Sequence, residues 1–172
     1  MSESGSGHHV ALRPAAGAAD MATVRALFLE YQGWLGVDLC FQGFDEELAT
    51  LPGLYAPPEG GLWFATVDDA VAGVVGMRPL KDGVCEMKRL WVRPGHRGLG
   101  LGRRLAEASI AAARAAGYGA MCLDTIGHMT AARALYARLG FREIPAYYDN
   151  PMDDVRYLEL DLAAAATTAR LG

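Results

Sequence analysis

A strand-like run from Val84 to Val92 stops at Arg93-Pro94-Gly95 and gives way to Arg97-Gly98-Leu99-Gly100-Leu101-Gly102-Arg103, from which an alanine-rich helix runs to about Ala116. This junction limits the fold more tightly than the rest of the chain. The first turn of a helix carries unpaired N–H groups and the positive end of the helix dipole. Phosphate settles there readily, and glycine removes the Cβ atoms that would hold it off the backbone. Arg97, Arg103 and Arg104 add positive charge. The junction is therefore predicted to hold a phosphate group on main-chain amides.

Other accounts of the loop fit less well. A phosphate loop of the Gly-Lys-Ser/Thr kind is absent from the segment. The dinucleotide fingerprint G-x-G-x-x-G, started at Gly98, would place its third glycine at residue 103, which is arginine. Asp124 does stand about where that fingerprint wants an acid, which keeps a nucleotide-dependent oxidoreductase as one alternative. A plain strand-to-helix turn is the other, but a turn needs one or two glycines rather than three alternate ones flanked by arginines.

The elements around the junction follow from spacing. Val10 to Pro14 reads as a first strand, and a helix starting near Asp20 carries Val24, Leu27, Phe28 and Tyr31 on one face. Trp34 to Leu51 is a less regular helical region, broken by Pro52-Gly53 and Pro57-Pro58. Leu62 to Val67, Val71 to Met77 and Val84 to Val92 are strands of an antiparallel meander, turned at Asp68-Asp69 and Lys81-Asp82-Gly83. The helix after the glycines shows Leu101, Leu105, Ala108 and Ala112 on its apolar face and stops at Gly117. Ala120 to Asp124 is a strand, Thr130 to Leu139 a helix stopped by Gly140, and Phe141 to Pro145 and Val155 to Leu162 are closing strands. The order β-α-α-β-β-β-α-β-α-β-β is a mixed α/β layout.

Size and charge narrow the function. The chain has 172 residues, enough for one domain with a real core. The predicted division is a flexible 1–8, a domain over 9–162 and a tail over 163–172. The net charge of -4 argues against nucleic-acid binding, which needs a basic stripe. Cys40, Cys85 and Cys122 are odd in number and far apart, as expected of buried thiols in a reducing compartment. No signal sequence and no membrane-length apolar run is visible, so a cytoplasmic location is expected.

The loop resembles the R/Q-x-x-G-x-G/A signature of the GNAT superfamily of N-acetyltransferases. Downstream, Ala132-Arg133-Ala134-Leu135-Tyr136-Ala137-Arg138-Leu139-Gly140-Phe141 resembles that superfamily's A-x-x-L-Y-x-x-x-G-F signature. The resemblance spans about residues 10–162 and is strongest over 84–141. It implies one domain with a mixed, mostly antiparallel sheet of six or seven strands, about four helices on both faces, and acetyl-CoA as co-substrate without a metal. It also implies that the strand before the loop splays from the next one, with the pantetheine in the gap. Backbone groups of Leu90, Trp91 and Val92 would pair with the pantetheine amides. The amides from Arg97 through Gly98, Leu99, Gly100 and Leu101 to Gly102 would hold the pyrophosphate, with Arg103 beside them. Many members place a CoA-contacting asparagine seven residues before the tyrosine, where this chain has Met129.

The reaction implied is direct acetyl transfer to a primary amine in a ternary complex; the acceptor is a small or peptide amine. An alkylammonium ion with a pKa near 10.4 is neutral only about once in a thousand near pH 7.4, so a proton must leave before attack. By resemblance, Tyr136 is the acid that donates to the CoA sulfur. Glu86, eleven residues before Arg97, stands where some histone-type members place a glutamate base. The alternative for Glu86 is an exposed side chain paired with Lys88 or Arg78 across the meander. An N–H near Leu90 would form the oxyanion hole. Dimers are common in the superfamily, so a homodimer is possible. The competing account of the whole chain is a non-catalytic acyl-CoA-binding or regulatory module, encouraged by Met129 alone.

The remaining features are softer. His96 and His128 flank the proposed site without metal-ligand spacing. Cys122 reads as a core residue. Tyr147, Tyr148, Asp149 and Asn150, with Tyr31, Trp34, Phe41 and Phe44, are either core aromatics and loop or the lining of an acceptor pocket.

Overall fold

The computed structural model describes residues 7–40 and 43–163. Phe41, most of the predicted flexible N-terminus and nearly all of the predicted tail lie outside the described residues. Seven strands form one sheet in the order β1-β2-β3-β4-β5-β7-β6. They are β1 (Val10–Pro14), β2 (Gly61–Val67), β3 (Ala70–Lys81), β4 (Val84–Val92), β5 (Ala120–Ile126), β6 (Arg142–Ile144) and β7 (Val155–Asp161). The helices are α1 (Gly17–Leu35), α2 (Phe44–Ala49), α3 (Leu101–Ala115) and α4 (Thr130–Leu139). Every neighbouring pair of strands is antiparallel except β4 and β5. A parallel pair needs a crossover, and α3 supplies it.

The meander forms because its turns are encoded locally. Asp68 and Asp69 both take positive φ (50° and 69°), as a two-residue hairpin turn of matching twist requires. β3 runs four residues beyond the predicted Met77, to Lys81, and Gly83 turns it at φ 73°.

Two apolar layers sandwich the sheet. On one face α1 and α2 bury Leu27, Phe28 and Phe44 against Phe64, Val74 and Trp91. On the other, α3 and α4 bury Leu105, Ile110 and Tyr136 against Val75, Met87 and Leu123. Each large side chain buried this way stabilises the fold by about 1.5–3 kcal/mol relative to exposure. The buried stripe of α3 is Leu101, Leu105, Ala106, Ser109, Ile110 and Ala113, whereas Ala108 and Ala112, predicted to face inward, are only half-buried. In an alanine-rich helix the apolar contrast between faces is weak, so the bulky Leu and Ile positions set the rotation.

α1 begins at Gly17, earlier than predicted. Asp20 is not the N-cap, which is Ala16; it lies in the first turn and accepts from the Ala16 N–H on Oδ2 at 2.9 Å. Arg13 donates to the same carboxylate at 2.7 Å. These bonds, Arg13 foremost, hold the Asp20 carboxyl at about 2, below its ordinary 3.8. A lowered carboxyl pKa adds stability above the unfolded value and loses it as pH falls through the folded value. An Asp20→Ala variant should therefore melt below the parent at neutral pH. The gap should close as the pH drops from about 4 to 2, which thermal melts across that range would show.

Candidate active site

β4 and β5 pair only over Val84–Glu86 and Ala120–Cys122. Beyond those three pairs the strands part. β4 stays bonded on its other edge to β3, with Trp91 opposite Val74 and Val92 opposite Gly73. β5 stays bonded to β7 through Ile126. Between the parted strands lies a cavity of about 480 Å³, within the range of small-molecule sites. Leu90, Trp91 and Val92 line one wall and Leu123 to Ile126 the other. The first turn of α4 and Tyr136 close over them.

The glycine loop stands at one end, where Arg97 and Gly102 reach the cavity lining. Gly100 caps α3 at φ 73° and Gly98 lies at φ 87°, conformations that favour glycine. A Cβ placed on either would meet nothing within 4 Å, so the space beside both is open. The first bond of α3 runs from Arg104 N–H to Gly100 O at 3.2 Å. Among the described residues, no protein group accepts from the amides of 98–103. Leu99 is exposed, while the Leu101 side chain points into the core, so that residue offers main chain only. Arg97 lays its guanidinium over Trp34 and Trp91, 5.3 and 5.5 Å from the ring centroids. Arg103 turns back along α3 to Glu107 at 2.8 Å. Met129 caps α4, lines the cavity and accepts a hydrogen bond from the Thr125 hydroxyl on its sulfur at 3.8 Å.

Tyr136 is 7% exposed and borders the cavity. Burial, then Tyr31 and Asp124, push its phenol above the usual value, so it holds its proton through the neutral range. Glu86 is not brought to the cavity. It sits where β4 still pairs with β5, opposite Cys122, before the strands part. Its carboxylate accepts from Arg78 Nε at 3.2 Å and from the Tyr147 hydroxyl at 2.6 Å. The sequence alternative holds in its partner, Arg78, but not in its setting: Glu86 is 2% exposed rather than on the surface.

The carboxylate in the cavity wall is Asp124. It accepts from the Tyr148 hydroxyl at 2.7 Å and from Lys88 Nζ at 3.4 Å. Lys88 also lies 3.8 Å from Glu86, and burial lowers its pKa against the pull of both carboxylates. The sequence placed Asp124 only in the alternative nucleotide reading and Lys88 only as one alternative partner of Glu86, and did not single out Arg89. The signal available was Glu86, Lys88 and Arg89 crowded into a strand that the meander must bury.

Of the softer candidates, Tyr31, Trp34, His128 and Asn150 line the cavity. Phe44 is core, and Tyr147 and Tyr148 stand behind the wall, stacked on each other and on Tyr157. Burial raises the Cys122 thiol to about 12, as expected of an inert core cysteine. Among the described residues there is no metal-ligand cluster and no helix long and apolar enough to cross a membrane.

A sheet split beside a glycine-led helix defines the acyl-CoA-dependent N-acyltransferases as the class. The profile of the Acetyltransferase (GNAT) family matches residues 25–141. An uncharacterised N-acetyltransferase of Schizosaccharomyces pombe is 39% identical over 84% of this chain and 90% of its own. One of Dictyostelium discoideum is 31% identical over 81% and 93%. Among solved structures, a GNAT-family acetyltransferase of Staphylococcus aureus superposes with a TM-score of 0.74 at 21% identity, covering 90% of this chain and 99% of that one. A Salmonella typhimurium protein solved with its cofactor acetyl-CoA superposes with a TM-score of 0.66 at 22% identity, covering 90% and 94%. The chain belongs to the GNAT acetyltransferase family, and the fold is the one the resemblance implied.

Proposed function

We propose that this enzyme moves an acetyl group from acetyl-CoA to a primary amine by direct attack within a ternary complex. The observation that carries the proposal is the parting of β4 from β5 beside a helix start with open amides. The unpaired edge of β4 at Leu90, Trp91 and Val92 suits the amides of a pantetheine arm. The amides from Gly98 to Arg103 suit a diphosphate. The Salmonella relative, solved with acetyl-CoA, supports the choice of thioester.

The chemistry then needs a proton acceptor for the amine and a donor for the sulfur. Asp124 is the carboxylate that an ammonium in the cavity would meet, so it takes the first role. Glu86 lies one step deeper, behind Lys88, and steadies the charge of that lysine. The neutral amine attacks the thioester carbonyl, and a β4 N–H near Leu90 receives the developing oxyanion. The C–S bond breaks as the Tyr136 hydroxyl hydrogen-bonds to the departing sulfur. Products are the acetylamide, CoA thiol and one proton.

Two measurements test the site. Gly100→Val puts a branched side chain into a positive-φ position beside the open amides. Its KM for acetyl-CoA and its Kd for CoA should rise about tenfold or more, some 1.4 kcal/mol, with kcat at saturation near the parent's. An unchanged Kd would remove the diphosphate from the loop. Asp124→Asn should lower kcat/KM about a hundredfold or more, and Glu86→Gln far less. The reverse order, with the Glu86→Gln defect greatest at low pH, would return the base role to Glu86.

A further inference from the structure

We infer that the acceptor amine carries a carboxylate of its own, received by Arg89 and Tyr31. The inference rests on the acetyl-transfer proposal and specifies its acceptor.

It begins with a break in the strand. β4 bulges against β3: Trp91 faces Val74 and Lys88 faces Gly76, so two residues, Arg89 and Leu90, stand opposite Val75 alone. Arg89 sits at φ 59°, a conformation L side chains rarely adopt. Simple alternation would send Lys88 and Arg89 to opposite faces of the sheet. The bulge instead lets both reach the same cluster of charges, Lys88 meeting Asp124 of β5 and Arg89 meeting Glu47 of α2.

Arg89 is almost wholly desolvated, its side chain 3% exposed, and it lines the cavity. A guanidinium has five N–H donors. Nε gives one to Glu47 Oε2 at 3.1 Å and Nη2 gives one to Glu47 Oε1 at 3.2 Å. Nη1 has no acceptor among the described residues. The Tyr31 hydroxyl likewise bonds no described residue, and Tyr31 also lines the cavity. Tyr31, Arg89, Asp124 and Tyr136 all line this one cavity, so these groups share one neighbourhood.

Charge balance points the same way. Arg78, Lys88 and Arg89 are matched by Glu47, Glu86 and Asp124 through direct ion pairs. When Asp124 takes the proton of the amine, this buried set is left with one uncompensated cation. A carboxylate on the acceptor restores neutrality, and the remaining face of the Arg89 fork is shaped for one. A polyamine would bring a second cation against Arg89 instead. The cavity must also admit the thioester arm, so the acceptor is small.

The test is CoA-thiol release by the unmodified enzyme with acetyl-CoA. The acceptors are the common amino acids, each beside its carboxamide and the amine lacking the carboxyl group, and a polyamine series. The best acid should exceed its amide by at least about tenfold in kcat/KM. Tyr31→Phe and Arg89→Lys should each shrink that ratio; if Arg89→Lys does not fold, Tyr31→Phe and the parent's ratio decide. Amides or polyamines turned over as well as acids would overturn the inference and leave acetyl transfer standing. A full acid preference in both variants would overturn the assignment to these two residues. Thiol release with no amine of any kind would overturn the acetyl-transfer proposal itself, and the acceptor with it.

Discussion

Tyr136→Phe should lower kcat by about 10²- to 10⁴-fold while leaving CoA affinity and melting temperature near the parent's. The substitution removes one oxygen and little else. The ring packs edge-on against Phe141 at 5.7 Å between centroids, a contact that phenylalanine keeps. The co-substrate, in the proposed mode, hangs on main chain that the variant does not touch. What goes is a hydrogen bond to sulfur, needed only as the C–S bond breaks, and an interaction made only then changes kcat rather than affinity. Because burial holds the phenol above its ordinary value, it remains a donor at every working pH. Rate should therefore climb through neutral pH as the amine loses its proton, with no alkaline fall from Tyr136 below about pH 10. Steady-state rates and CoA titrations across pH would show this; turnover equal to the parent's would remove the acid role.

Glu47→Leu should be the most destabilising single change near the site, costing about 3–5 kcal/mol. Glu47 lies on α2 and holds two guanidinium groups at once, Arg78 at 3.2 Å and Arg89 at 3.1 Å. Leucine fills the space but leaves Arg89 a buried cation with no carboxylate, and Arg78 with Glu86 alone. Since folded domains are stable by only about 5–15 kcal/mol, denaturant melts should show much of that margin gone. A midpoint shift worth less than about 1 kcal/mol would mean that the two arginines do not depend on Glu47.

The loop was legible because its shape lies in main chain. Gly98 and Gly100 adopt positive φ and leave bare amides, and no side chain can redirect that. The same holds for turns such as Asp68-Asp69. Tyr136 was legible only through its register with Gly140 and Phe141, a pattern carried by resemblance. Asp124 was not legible as the cavity's carboxylate. Whether a strand residue faces a gap depends on where two strands stop pairing, and neither β4 nor β5 marks that point in its own sequence. Glu86 and Asp124 both stand on neighbouring strands; three residue pairs decide between them. Arg89 was hidden for a related reason, since a bulge cancels the alternation by which strand faces are read.

Among the described residues, those three residue pairs are also all the strand pairing between β1–β4 and β5–β7. The chain thus carries an interior edge that it never closes by itself. In the proposed binding mode, an extended molecule seated there would become, for one catalytic cycle, a borrowed strand. Its departure would then be an unzipping rather than the lifting of a lid, paced by main-chain bonds that no side-chain substitution removes.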